Sequence, residues 1–201
     1  MDKFIAFFAL LISITFHEFS HAFVADRLGD PTPRSYGRLT LNPAAHADLL
    51  GTIILPLLGA FTGLPTIGWA KPVPIDRYNL QNPRRDEMLI SLAGPASNFL
   101  LAIFVTLFIK FTGLYIMPLL ILILINISLA VFNLIPIPPL DGSKILLNLL
   151  PADKSYEWEK IFDQYGLLFL ILFLFIPFGG STLVSMVLTP VTQFILSLLK
   201  L

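Results

Sequence analysis

Apolar residues fall in long runs along the chain, and the polar stretches between them define the elements. Phe4 to about Ala25 is one such run, long enough to span a bilayer, which takes roughly 20 residues. Asp26, Arg27, Gly29, Asp30 and Pro31 end it. Met88 to Lys110 is a second run, Phe111 to Tyr115 a tight turn, and Ile116 to about Ile135 a third run. Pro136, Pro138 and Pro139 then disrupt regular helix and re-aim the chain. Helix resumes from Ser143 to about Leu150. After a polar stretch, Pro151 to Gln164, the last apolar region runs from Gly166 to Leu199. Pro177-Phe178-Gly179-Gly180 divides it, which predicts a C-terminal helical hairpin over residues 163–200.

Between the first two runs the pattern is different. Gly37-Arg38-Leu39-Thr40-Leu41 reads as a short strand stopped by Asn42-Pro43. Leu49 to Gly68 is apolar but interrupted by Pro56, Gly59, Gly63 and Pro65. Trp69 to Ile75 is held extended by Pro72 and Pro74. Arg27, Arg34 and Arg38 precede the interrupted segment, and Lys71, Arg77, Arg84 and Arg85 follow it. Basic loops on both sides belong in the cytoplasm, so this segment does not cross the bilayer once. It is expected to be re-entrant or interfacial, with the flanking extended pieces pairing as a small sheet. The whole pattern predicts an all-α polytopic membrane protein with about five transmembrane helices, a re-entrant or interfacial segment and a small cytoplasmic-side β-sheet. One domain covers residues 1–201, with its core over 4–145.

Composition agrees. Of 201 residues, 56% are hydrophobic and 13% charged, about half the charge of a typical soluble domain, and mean hydropathy is +0.82. Net charge is +0, so no nucleic-acid partner is indicated. The absence of Cys removes thiolate ligands, thiol nucleophiles and disulfides. The first run is read as a retained helix rather than a signal peptide, because Ala25-Asp26-Arg27 makes a poor cleavage site.

The chemistry sits in that first run. His17-Glu18-Phe19-Ser20-His21 is an H-E-x-x-H sequence. On a helix, His17 and His21 share a face and can bind one metal ion, with Glu18 placed to accept a proton from water without being a ligand. Ionisable groups in a membrane helix are costly, which favours function over two histidines merely satisfied by neighbours. A catalytic zinc needs a third protein ligand. His46 and Asp141 are the candidates, and Asp141 could otherwise be a helix N-cap. Gly94 and Asn98, with Ala96 and Ser97 between them, have the small-residue spacing of close helix packing.

These residues resemble the site-2 protease family of intramembrane zinc proteases. The resemblance lies in His17-Glu18-Phe19-Ser20-His21, Gly94-x-x-x-Asn98, and Asn133-x-x-Pro136 ending in Leu140-Asp141-Gly142. It covers roughly residues 4–145 and is closest to the short prokaryotic members, which share Leu41-Asn42-Pro43 and His46-x-Asp48. The resemblance implies His17, His21 and Asp141 as ligands of one Zn2+ per chain and Glu18 as general base. It implies that Asn133 contacts substrate backbone or developing negative charge, and leaves His46 a supporting or gating role. Longer relatives carry a further leading helix and an inserted peptide-binding domain. The turn at Phe111 to Tyr115 is too short to hold a domain.

The expected function is hydrolysis of peptide bonds in or near transmembrane segments of membrane-protein substrates. The enzyme is expected in the lipid bilayer of a prokaryotic cell membrane, with its site toward the cytoplasm. The alternative is a metal-binding membrane protein without protease activity, such as a carrier. That reading calls for more polar residues across the spans than Lys110 and Asn126 supply.

Overall fold

The computed structural model describes residues 2–62 and 68–199, 77% of the chain being helical. Helix α1 (Asp2–Arg27) is followed by two single-turn helices, α2 (Thr32–Ser35) and α3 (Pro43–His46). A π-helical turn over Leu49–Ile54 leads into α4 (Leu55–Thr62). After an extended segment come α5 (Pro83–Thr112), α6 (Met117–Asn133), α7 (Asp141–Leu149) and α8 (Ala152–Phe175). A two-residue hairpin, β1 (Pro177–Phe178) and β2 (Ser181–Thr182), turns the chain into α9 (Leu183–Leu199).

Helices α1 and α5 are both long and apolar enough to cross a membrane, while α6 and α9 are apolar but shorter. α1, α5 and α6 pack against one another, and α7 docks on α5. Ala102, Val105 and Ile109 of α5 meet Ile123 and Ile127 of α6 in one core cluster. Ala25, Leu80 and Ile90 form a second cluster where α1 meets α5. At about 25 cal/mol per Å² of apolar surface removed from water, such contacts would hold a soluble fold. Between membrane helices the driving terms are close packing and interhelical hydrogen bonds instead.

The expected sheet is absent among the described residues. Gly37 to Leu41 forms turns and bends, because Arg38 folds inward: its N–H reaches Pro33 O at 2.8 Å. The Arg38 guanidinium, 6% exposed, donates to Ala45 O at 2.5 Å and Lys71 O at 3.3 Å. Trp69 to Ile75 is extended, but among the described residues its backbone bond to the preceding loop is the single one from Lys71 N–H to His46 O, 2.9 Å. The interrupted segment is helical over residues 49–62, with Pro56 accommodated in the first turn of α4 and Gly59 inside it. The breaks expected at Gly63 and Pro65 lie outside the described residues.

The polar stretch after Pro151 is continuous with the first arm of the C-terminal hairpin: both are one helix, α8, which begins at Ala152 and not at 163. Residues 152–165 contain no proline, and Gly166 is buried where an added Cβ would lie 2.8 Å from the Pro138 side chain. Close contact with that proline accounts for a glycine inside the helix. Arg77 holds this end of the molecule together, bonding Glu87 of α5 at 2.8 Å and Glu159 of α8 at 3.4 Å. Glu87 also accepts from Asn148 of α7 at 3.0 Å.

Candidate metal centre

α1 carries His17 and His21 one turn apart, both buried, on the face toward α5. Each ring is held by its Nδ1. His21 Nδ1 lies 2.6 Å from Ile90 O, which only accepts, so this nitrogen carries the proton. His17 Nδ1 lies 2.6 Å from Asn98 Oδ1. The Asn98 amide nitrogen is spent on Ser13 O at 3.1 Å and Asn126 Oδ1 at 2.8 Å, so its oxygen faces His17 and accepts. In the neutral form of each ring the lone pair therefore lies on Nε2, at the opposite edge.

Asp141 meets them. Its Oδ2 stands 3.1 Å from His17 Nε2 and 3.3 Å from His21 Nε2. The residue opens α7 but does not cap it: the N-cap is Leu140, without a side-chain cap bond. Gly142 explains how α7 comes so close. A Cβ there would strike the carbonyl oxygens of Leu134 and Ile135, so only glycine lets the chain fold back over the end of α6. Ser143 Oγ fixes the turn by donating to Leu140 O at 2.7 Å.

His17, His21 and Asp141 form a group that can hold a metal ion. Two imidazole nitrogens and one carboxylate oxygen suit zinc, which takes such ligands at about 2.0–2.2 Å in a tetrahedral arrangement. Donor atoms of such a site lie roughly 3.3 Å apart, which the 3.1 and 3.3 Å separations match. The three residues fit zinc in type, number and spacing, and the Nδ1 bonds supply the outer anchoring that metal-bound histidines require.

A cavity of about 400 Å³ opens over the group. Glu18, Asn133, Val73 and Lys144 line it with the three donors. Among the described residues Glu18 makes no hydrogen bond or ion pair, so its carboxylate is available to the cavity. Asn133 Nδ2 donates back to Leu129 O at 3.0 Å, leaving a second N–H. His46 is not in the group. It is fully buried, Nε2 donates to Thr40 O at 2.7 Å, and its backbone oxygen receives the Lys71 N–H.

Gly94 lies against the imidazoles. A Cβ built there would collide with Nε2 of both His17 and His21. Its spacing to Asn98 suggested helix packing. The structure adds that Gly94 clears room for the donor atoms and Asn98 bonds one of the rings. Sequence reasoning missed Ser13 and the role of Asn126. The signal was present: an Asn in mid-helix in the apolar run of α6, and a Ser one turn before His17, are both costly in lipid unless bonded.

Comparison with known proteins decides the family. The model of peptidase family M50 matches residues 5–114 and 110–177. The chain belongs to peptidase family M50. Relatives of this M50 chain carry zinc-metalloprotease names. YwhC of Bacillus subtilis (strain 168) is 37% identical over 187 residues, 87% of this chain and 81% of the relative. Rip2 of Mycobacterium tuberculosis (strain ATCC 25618 / H37Rv) is 32% identical over 176 residues, 83% of this chain and 65% of the relative. MJ0392 of Methanocaldococcus jannaschii is 28% identical over 159 residues, 78% of this chain and 37% of the relative. No solved structure matches at a significant level. By family this is a zinc metalloprotease of the membrane, and the His17, His21 and Asp141 group is its candidate zinc site.

Proposed function

We propose that the M50 chain hydrolyses peptide bonds in or near transmembrane segments of membrane proteins, with zinc held by His17, His21 and Asp141 and Glu18 as general base. The observation that carries this reading is the convergence of three donor atoms, both rings anchored through Nδ1, beneath a cavity lined by Glu18. Zinc at such a site supplies Lewis acidity, polarising a carbonyl and lowering the pKa of water toward 7. The Glu18 carboxylate takes a proton from the attacking water, whose oxygen bonds the carbonyl carbon. It returns that proton to the amide nitrogen as the C–N bond breaks, leaving a carboxylic acid and an amine. The second N–H of Asn133 is directed at substrate backbone or developing negative charge.

A helical substrate must unwind before its amides reach the site. Trp69 to Ile75, part of which lines the cavity, offers replacement bonds: among the described residues the N–H and C=O of Val73 are unpaired. An extended substrate can pair there as an added strand. Val73→Pro removes the N–H; unchanged cleavage by that variant would exclude pairing at this position.

Five crossings are inferred, by α1, α5, α6, α8 and α9. The 17 residues of α6 and of α9 rise about 26 Å at 1.5 Å each, close to the ~30 Å hydrocarbon thickness. The metal site lies in the halves of α1 and α5 nearer Arg27, Arg34, Arg38, Lys71, Arg77, Arg84 and Arg85, the side that the positive-inside rule assigns to the cytoplasm. A carrier would need polar groups free along a path. Ser13, Asn98 and Asn126 are instead bonded to one another.

The test is purification in detergent, metal analysis and cleavage of single-span substrates in vesicles. Wild type retains one zinc and cleaves. Glu18→Gln retains zinc and loses cleavage by at least 10²-fold, the lower range for general-base removal. A fully active Glu18→Gln protein would overturn the mechanism.

A further inference from the structure

We infer that Asn126, with Ser13, is a positioning residue for the metal site, setting the orientation of the Asn98 carboxamide and through it the tautomer of His17. The inference rests on His17 being a metal ligand, as proposed above.

Asn126 is fully buried in the middle of α6, where the nine residues before it are all apolar. Its own orientation is determined first. Nδ2 donates to Leu122 O at 2.8 Å and to Ser13 Oγ at 2.8 Å, so both N–H bonds are used. The Ser13 hydroxyl hydrogen is committed to Ala9 O at 2.7 Å, which leaves Ser13 Oγ able only to accept. Asn126 Oδ1 therefore faces α5, where it accepts from Asn98 Nδ2 at 2.8 Å. Asn98 gives its other N–H to Ser13 O at 3.1 Å and turns Oδ1 to His17 Nδ1 at 2.6 Å.

The series rests on three backbone carbonyls that can only accept: Ala9 O and Leu122 O orient Asn126, and Ser13 O acts with Asn126 Oδ1 to orient Asn98. It ends by requiring a proton on His17 Nδ1 and a lone pair on Nε2, the nitrogen that faces Asp141. An amide flipped at Asn98 would present N–H to His17 and favour the opposite tautomer, with its proton on the ligating nitrogen. Without the Asn126 acceptor only Ser13 O still opposes the flip, so the flipped amide loses less and gains population. Asn126 touches no metal donor and does not line the cavity. It acts two hydrogen bonds away.

The test compares Asn126→Thr with Asn126→Val, which are nearly isosteric. Thr keeps an acceptor for Asn98 Nδ2 and can donate to Leu122 O, one turn back. Val keeps the shape and loses both. Zinc affinity is measured on purified protein by competition with a chromophoric chelator, alongside the thermal midpoint. On metal-free Asp141→Ala protein, in which no carboxylate faces Nε2, 15N shifts of the imidazoles report the tautomer. Removing an outer partner of a metal ligand typically costs 10–100-fold in affinity. Val is expected to weaken zinc about tenfold and give mixed His17 tautomers. Thr should stay within about threefold of wild type with Nδ1–H retained. Ser13→Ala, which removes one acceptor but leaves Leu122 O, should fall between them and serves if the Val variant does not fold.

Equal zinc affinity and the same tautomer in the Thr and Val variants would overturn the inference, as would Val and Thr both losing zinc in proportion to a common loss of thermal stability. Failure of wild type to bind zinc through His17 would instead overturn the proposed metal site, so the two failures are separable.

Discussion

Gly94→Ala puts the site geometry under the most direct strain. The added Cβ would lie 2.5 Å from His17 Nε2 and 2.6 Å from His17 Cε1, and would also strike His21 Nε2. Ordinary contact begins at 3.4 Å, so the imidazole or the helix must give by about 0.9 Å, the difference between 3.4 and 2.5 Å. Metal–ligand distances tolerate only about 0.2 Å. If the rings move, Nε2 leaves its position beside Asp141. If α5 retreats instead, the 2.6 Å bonds to Asn98 and Ile90 stretch toward 3.5 Å and cease to be hydrogen bonds. Either route disorders both histidines, and a misplacement near 1 Å costs about 10²-fold in rate. Helix propensity acts the other way, since Ala is better than Gly by about 1 kcal/mol in a helix interior. The expected result is loss of zinc and at least 10²-fold slower cleavage with helical content unchanged by circular dichroism. Zinc stoichiometry and proteolysis in vesicles would be read on the same preparation. A Gly94→Ala protein with wild-type zinc affinity and rate would refute the claim that glycine clears space for the donor atoms.

Gly142→Ala should be comparably damaging from the other side. Its Cβ meets two backbone carbonyls that cannot rotate away, so a cost of about 1–3 kcal/mol and weaker zinc binding are expected in thermal melts and chelator competition. Zinc removal should lower the thermal midpoint, because an ion bound only by the folded state adds about 2.7 kcal/mol at a hundredfold excess over its Kd; a midpoint indifferent to chelator would contradict a buried site. Asp30 predicts a pH effect. Burial pushes its carboxyl up, but donors on Thr32, Asn79 and Asp76 outweigh burial and hold it below the usual carboxylate range. A carboxyl lowered in the fold contributes stability that is complete above its unfolded value near 3.9 and is lost as pH falls through the folded value. Asp30→Asn should therefore be less stable than wild type at neutral pH by about 1.5–3 kcal/mol. The difference should shrink under acid; one independent of pH down to the onset of acid unfolding would refute the assignment.

Much of the molecule was legible one residue at a time. Runs of apolar residues located α1, α5 and α6, because a bilayer-length helix needs only local composition to be recognised. H-E-x-x-H placed His17 and His21 on one face, because i and i+4 spacing is a property of the helix alone. Prolines 136, 138 and 139 marked the turn that returns the chain to them. Other features depended on neighbours that no local pattern encodes. Gly37 to Leu41 has a strand's alternation but not its conformation, since burying the Arg38 guanidinium against two carbonyls outweighs the weak preference of five residues. Pro151 to Gln164 read as a polar stretch of unassigned structure, yet nothing after Pro151 stops a helix, and Gly166 is placed by its contact with Pro138.

The amino-acid sequence by itself determined that the chain has two histidines and an acid at metal-binding spacing in an apolar helix. It also left two candidates for the third ligand, His46 and Asp141. Tertiary structure brings Asp141, and not His46, beside the two histidines. His46 is turned into its own loop by Thr40 O, while Gly142 lets α7 approach until the Asp141 carboxylate reaches both rings. It also joins the isolated polar residues Ser13, Asn98 and Asn126 in one hydrogen-bonded series. A hydrogen bond's direction depends on what its partner has already committed, and those commitments exist only when α1, α5 and α6 are packed together.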